Sequence, residues 1–157
     1  MAVREHAPAT TPRREAIASE LSVDAMRAAL EAVNAASPFN ASARMQIGAV
    51  AVGAVTLACA SAPGLLNHAG ALHAGVQAAL IDTACGFAAG PVAGPVVTAQ
   101  MSLTFLAPAR GNRFEARARV VKAGRSQVFA NAELFAMAEG GEERLVATGT
   151  AVLVRVG

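Results

Sequence analysis

Between Gly75 and Ala89 the chain carries a single ionisable carboxylate, Asp82, in a run that apart from Gln77 is otherwise small or apolar. A helix that is apolar on all sides is a buried helix. Aspartate is rarely placed in one unless it is paired or used. Residues three, four and seven positions away share its side of a helix. Here they are Gly75, Ala78, Ala79, Cys85, Gly86 and Ala89, all small. Val76, Leu80, Ile81 and Phe87 on the other side are the expected core contacts. Two readings are open. The small stripe packs tightly against a neighbour with Asp82 solvated at an interface, or it forms a groove holding a catalytic carboxylate.

The start of this helix offers a second chemical element. The first helical turn has unpaired N–H groups and the positive end of the helix dipole. At Ala74-Gly75-Val76 small side chains leave those donors approachable. Such donors stabilise negative charge developing on a carbonyl oxygen. Gly75 and Asp82 are seven residues apart, roughly 10 Å at 1.5 Å per residue. Reacting groups must come within about 3–3.5 Å, so one helix does not readily serve one atom from both places. Two antiparallel helices across a two-fold axis can, which points to a homodimer with two shared sites.

The remaining segments must position these groups. Residues 1–16, with Pro8, Pro12 and scattered charges, read as a flexible arm that lacks the apolar stretch of a secretory signal. A helix is expected over 17–36, capped by Ser19 or Ser22, with Ile17, Leu21, Met26, Leu30 and Val33 on its apolar stripe. Ser37-Pro38 ends it. Two strands are expected at about 43–50 and 53–60, then the central helix at about 74–89, with Gly90 to Pro95 as a turn. In the strand at 96–106, Thr98, Gln100, Ser102 and Thr104 share one face, and Val97, Ala99, Met101, Leu103 and Phe105 the other. Residues 113–122 alternate cleanly, with Arg113, Glu115, Arg117 and Arg119 opposite Phe114, Ala116, Ala118 and Val120. A hairpin at 126–138 and 144–155 closes the chain. This order makes 17–157 a single α+β domain, an antiparallel sheet of about six strands wrapped around a central helix that it buries on all sides.

Composition excludes several classes. With 54% hydrophobic and 15% charged residues, and a mean hydropathy of +0.44, the chain has more apolar surface than a monomer comfortably exposes. A net charge of +2, with neither Trp nor Tyr, argues against nucleic acid. The chain lacks a run of the ~18 consecutive apolar residues expected of a membrane span. Cys59 and Cys85 have no metal-ligand spacing and no redox-pair motif. They are expected to be small buried groups, kept reduced in the cytoplasm.

The pattern Asn67-x5-His73-Ala74-Gly75-x6-Asp82 resembles the signature of hotdog-fold acyl-CoA thioesterases of the phenylacetate-pathway type, whose usual form is His-Gly-Gly at the same spacing. The likeness continues through Val97 to Ala109, the Lys122-Ala123-Gly124-Arg125 turn and Val146 to Ala151, over roughly residues 40–156. It implies the hotdog fold and thioester hydrolysis, with the two central helices antiparallel in a dimer and tetramers common. On that likeness Asn67 would bond the thioester carbonyl or position its loop. His73 would shape the helix start. Ala74, in place of the first Gly, would offer the backbone donor, and Gly75 would sit in the first turn. Asp82 would be the general base or the nucleophile, and Thr98 would help hold the water.

CoA phosphates need basic contacts, for which Arg125, Lys122, Arg117 and Arg119 are the candidates. CoA would be part of the substrate, with no separate cofactor and no metal. Small residues beside Asp82 leave room for a bulky or ring-bearing acyl group. Two other classes stay open beside the thioesterase. One is an acyl-CoA binder without catalysis. The other is a hotdog hydratase or dehydratase, which would carry His and an acid at a different spacing.

Overall fold

The computed structural model describes residues 22–156. Helix α1 (Val23–Ala36) starts where the Ser22 side chain accepts the N–H of Ala25 at 3.1 Å, the bond expected of an N-cap. Ser19, the alternative cap, and residues 17–21 lie outside the described residues. Met26 and Leu30 are the buried members of its stripe. Ser37 ends α1 and caps the short helix α2 (Pro38–Ser42), which has Pro38 in its first turn, where the missing N–H costs nothing.

Strands β1 (Gln46–Ala51) and β2 (Ala54–Ala60) form a hairpin, and a 3-10 turn (Pro63–Leu65) leads to the central helix α3 (Ala74–Ala93). Strands β3 (Val96–Phe105), β4 (Arg113–Ala123), β5 (Gln127–Met137) and β6 (Glu143–Arg155) follow. All pairings are antiparallel, in the order β1-β2-β4-β5-β6-β3. Six strands thus curve around one long helix, the hotdog arrangement. The expected alternation of β4 holds. Phe114, Ala116 and Ala118 are buried, while Arg113, Glu115, Arg117 and Arg119 face outward.

The core lies between α3 and the sheet. Leu80, Ile81, Ala84, Cys85 and Ala88 meet Leu57, Phe114, Leu134 and Leu153 there. The fit is closest at Gly149, where a Cβ would stand 2.6 Å from Ile81 Cγ2 and 2.8 Å from Leu103 Cδ2. By length and composition α3 is apolar enough to cross a membrane. In this fold its buried face packs against the sheet.

Three expectations are corrected. The helix runs on to Ala93, through Pro91, instead of ending at 89. Pro91 falls in its last turn, and the Arg155 guanidinium donates to the carbonyl of Ala93, placing positive charge at the helix C-terminus. Next, the sheet does not bury α3 on all sides. Cys85 and Ala89 are fully buried, but Gly75, Ala78, Asp82, Gly86 and Gly90 are not. Finally, β3 does not alternate strictly. Its register against β6 shifts between Thr98 and Gln100, so Ala99 is the extra residue of a β-bulge. Thr98 pairs with buried Leu153 and Met101 with buried Ala151. Thr98 therefore faces α3 with Met101 and Leu103, not away from them.

Candidate active site at the open side of the central helix

The β-bulge brings Thr98 to Asp82. The Thr98 hydroxyl Oγ1 donates to Asp82 Oδ1 at 2.7 Å, a short geometry that fixes one carboxylate oxygen and leaves the other without a partner among the described residues. Asp82 is half-buried in the single chain. It stands at one end of a groove of about 740 Å³ between α1, α3 and the start of β3. The groove walls are apolar apart from Thr83, Asp82 and Thr98.

At the head of α3, His73 is the N-cap, and its Nδ1 accepts the N–H of Gly75 at 3.0 Å. This explains glycine at 75. A Cβ there would press on the imidazole, 3.1 Å from Nδ1. The cap also occupies the Gly75 donor, so the open donor is the N–H of Ala74, which no acceptor among the described residues engages. The alanine does not spoil it, since Arg44 is the one non-glycine residue at positive φ among those described. Ala74 has ordinary helical geometry, which a Cβ tolerates.

Asn67 holds the loop before the helix. Its Oδ1 accepts from the N–H groups of Ala69 at 2.9 Å and Ala71 at 3.1 Å, and its backbone N–H donates to Ala71 O at 2.8 Å. These bonds hold the loop through Oδ1 and the backbone N–H, and none engages the side-chain NH2. Asn67 and Ala74 line a second hollow, of about 490 Å³, which excludes Asp82. Within one chain Ala74 and Asp82 are eight residues apart along α3, roughly 12 Å. They line different depressions.

The four basic candidates fall elsewhere. Arg117 donates to Glu115 at 2.9 Å and to Glu143 at 2.6 and 3.1 Å, and lies 4.3 Å over the Phe135 ring. Its charge is already committed, and the two carboxylates, Glu143 foremost, push its pKa further up. Arg119 shares with it a shallow hollow on the outer face of the sheet, turned away from α3. Lys122 and Arg125 are exposed at the β4–β5 turn, beside the end of α3, where Arg155 bridges Ala93 O and Gly124 O. None of the four lines the hollow of Asp82 or that of Ala74.

Sequence reasoning passed over Arg110, which lines the Ala74 hollow and whose guanidinium lies over Gly70. Its position in a turn gave no periodic signal. It also missed the part of α1 in the Asp82 groove, because the apolar stripe of Met26, Leu30 and Val33 reads as core. Cys85, three residues from Asp82, is buried, and burial followed by the Asp82 charge pushes its thiol up to about 12. It is no nucleophile at neutral pH.

Residues 69–142 match the thioesterase superfamily. A thioesterase family protein from Silicibacter pomeroyi is similar in structure at a TM-score of 0.77 and 37% identity, over 80% of this chain and 93% of that one. A mutant of the phenylacetic acid degradation protein PaaI from Thermus thermophilus has a TM-score of 0.68 and 26% identity, covering 76% of this chain and 100% of its own. The zebra fish thioesterase superfamily member 2 has a TM-score of 0.71 at 25% identity, over 86% and 99% of the two chains. No curated protein matches. The chain belongs to the thioesterase superfamily and has its hotdog fold, and this membership supports thioester hydrolysis in general.

Proposed function

We propose that this protein hydrolyses acyl-CoA thioesters at sites shared between two protomers of a homodimer. The observation that carries the reading is Asp82, the one carboxylate on α3, held by Thr98 at 2.7 Å at the end of an apolar groove. The N–H of Ala74 supplies the other half of the chemistry, a backbone donor at the positive end of a 20-residue helix. The two lie too far apart along one helix for one carbonyl group. Antiparallel packing of the open sides of two α3 helices brings the Ala74 of one protomer toward the Asp82 of the other.

In this arrangement the Ala74 N–H polarises the thioester carbonyl. Asp82 takes a proton from water as the water oxygen adds to the carbonyl carbon. The tetrahedral intermediate then collapses, the C–S bond breaks, and the proton held on Asp82 passes to the departing thiolate, releasing the carboxylic acid and CoA. If Asp82 attacks the carbonyl carbon itself, CoA leaves first and water cleaves the resulting anhydride. Hydrolysis in 18O-labelled water under single turnover tests the second route, because label in Asp82 requires an anhydride that water opens at the Asp82 carboxyl carbon. Arg110, exposed at the mouth of the Ala74 hollow, is better placed than Arg117 to meet a phosphate of CoA.

The test is thiol release from a panel of aliphatic and aromatic acyl-CoAs, with wild type beside Asp82→Asn. Steady wild-type turnover that falls by about a hundredfold or more, with an unchanged fold, is the expected result for loss of the catalytic carboxylate. A wild type that binds acyl-CoA without turnover would replace this reading with that of a binding protein.

A further inference from the structure

The groove that begins at Asp82 has a direction. It follows α3 past Gly86 and Gly90 to Gly94, a distance of roughly 18 Å at 1.5 Å per residue. Met26, Leu30 and Val33 of α1 form the facing wall, with Val96 and Val97 of β3 below. Gly86 and Gly90 are what keep it open. A Cβ built at Gly86 or Gly90 meets nothing within 4 Å, so no packing demand among the described residues explains their small size, whereas Gly94 is glycine for its positive φ of 76° at the helix C-cap. Val33 and Val97 are more than half exposed, at 59% and 52%, so the lip offers apolar surface to an occupant. Among the described residues its one charged group is Asp82, at the end nearest the Ala74 half of the helix.

Resting on the acyl-CoA hydrolase reading above, we infer that this groove takes the acyl chain of the substrate, that the chain is linear and aliphatic, and that Gly86 and Gly90 set its permitted length. The long, apolar shape fits an unbranched chain lying along α3, in place of the ring-bearing group that small residues alone had suggested. An extended chain advances about 1.2 Å per bond, so the full groove accommodates roughly twelve to fifteen carbons beyond the carbonyl. Gly86 and Gly90 lie roughly 6 and 12 Å from Asp82 along the axis, corresponding to about five and ten carbons. A large side chain at either position closes the groove there, and leucine also favours the helix over glycine.

The experiment measures binding of saturated acyl-CoAs, from butanoyl to hexadecanoyl, to the full-length Asp82→Asn protein, with CoA alone as the baseline. Turnover by wild type is followed on the same panel. Affinity should rise by up to about fourfold per added methylene, the equivalent of about 0.8 kcal/mol, and level off near the full length. Adding Gly90→Leu should move the plateau to about ten carbons, and Gly86→Leu to about five. Val33→Glu, at an exposed position that tolerates charge in the folded state, should weaken the longest chains while sparing butanoyl-CoA. It reads the groove even if a leucine variant fails to fold.

Affinity independent of chain length, or an unchanged plateau in both Gly90→Leu and Val33→Glu, overturns the inference. So does a Gly90→Leu protein whose oligomeric mass in solution changes while its length profile does not, since a second copy would then occupy the groove. Length-dependent binding without wild-type turnover keeps the groove assignment and sinks the hydrolase reading. Turnover with a flat length profile does the reverse.

Discussion

The hydroxyl of Thr98 lies 2.7 Å from Asp82 Oδ1, across the gap between the edge strand β3 and the central helix. The contact exists because Ala99 bulges out of the β3–β6 ladder and turns Thr98 toward α3. A hydroxyl that donates to one carboxylate oxygen selects a rotamer and aims the second oxygen at the groove. Thr98→Val keeps the shape and removes the donor. We expect kcat to fall by about 10- to 100-fold, the range of about 1.5–3 kcal/mol for a hydrogen bond to a charged group, with KM little changed. Thr98→Ser should recover most of the loss, which separates positioning of the carboxylate from packing. Because Thr98 is exposed in the single chain, the melting temperature should hardly move.

Gly149 marks the closest approach of sheet to helix. Its missing Cβ leaves room for Ile81 Cγ2 and Leu103 Cδ2, which would otherwise stand at 2.6 and 2.8 Å. Gly149→Ala should cost about 1–3 kcal/mol by overpacking, read as a lower urea midpoint at an unchanged slope. Gly149→Ala combined with Ile81→Val, which removes one methyl at the same contact, should cost less than the two changes summed.

Much of this was legible from local pattern. The alternation from Arg113 to Val120 reveals its faces because only one of them is buried, and a period of two records that directly. Ser22 announces a helix start because N-capping is a local bond. Three features escaped because their causes are distant or lack a period. The bulge at Ala99 adds one residue, which a count of alternating apolar positions cannot detect. Val97, Ala99 and Met101 still read as one face, and Thr98 as its opposite. The end of α3 was misplaced since Gly90, Pro91 and Pro95 are turn residues locally, whereas the guanidinium that caps Ala93 belongs to Arg155, 62 residues away. Cys85 and Ala89 were grouped with Asp82 because spacings of three and seven cover a wide arc of a helix. The sheet reaches far enough around to bury both, leaving Gly86 and Gly90 on the open side.

Glu143 supplies a pH signature. Its hydrogen bonds from Arg117, with that positive charge nearby, hold its pKa below the usual value of 4.5. A carboxylate with a lowered folded pKa contributes stability above its unfolded pKa, and loses it as pH falls through the folded value. Wild type should therefore exceed Glu143→Gln in melting temperature at neutral pH. The gap should begin to close below about 4.5 and vanish at more acid pH. Salt should narrow it as well, since the pair is exposed. Acyl-CoA affinity should be the same in both proteins, because Arg117 lies on the outer face of the sheet and lines neither hollow beside α3.

Ala74→Pro isolates the proposed backbone donor. Position 74 is the first residue of α3, after the His73 cap, and proline is well accepted there because its absent N–H has no helical partner. His73 already has φ −57 and ψ 137, the extended geometry required of a residue before proline. The substitution should delete the Ala74 N–H without unfolding the helix, and reduce kcat by about 10²- to 10³-fold. Asp82→Asn should be at least as damaging. If each site joins the helix start of one protomer to the carboxylate of the other, these two inactive proteins complement each other. A mixed dimer then holds one site with both defects and one with neither. After unfolding and refolding an equimolar mixture, half of the dimers are mixed, so activity should return to about a quarter of wild type. Recovery near that value, absent when either variant is refolded alone, is the result expected of a shared site. A mixture that stays as inactive as its components would place the donor and the carboxylate in one chain, and the antiparallel packing of the two α3 helices would have to be abandoned.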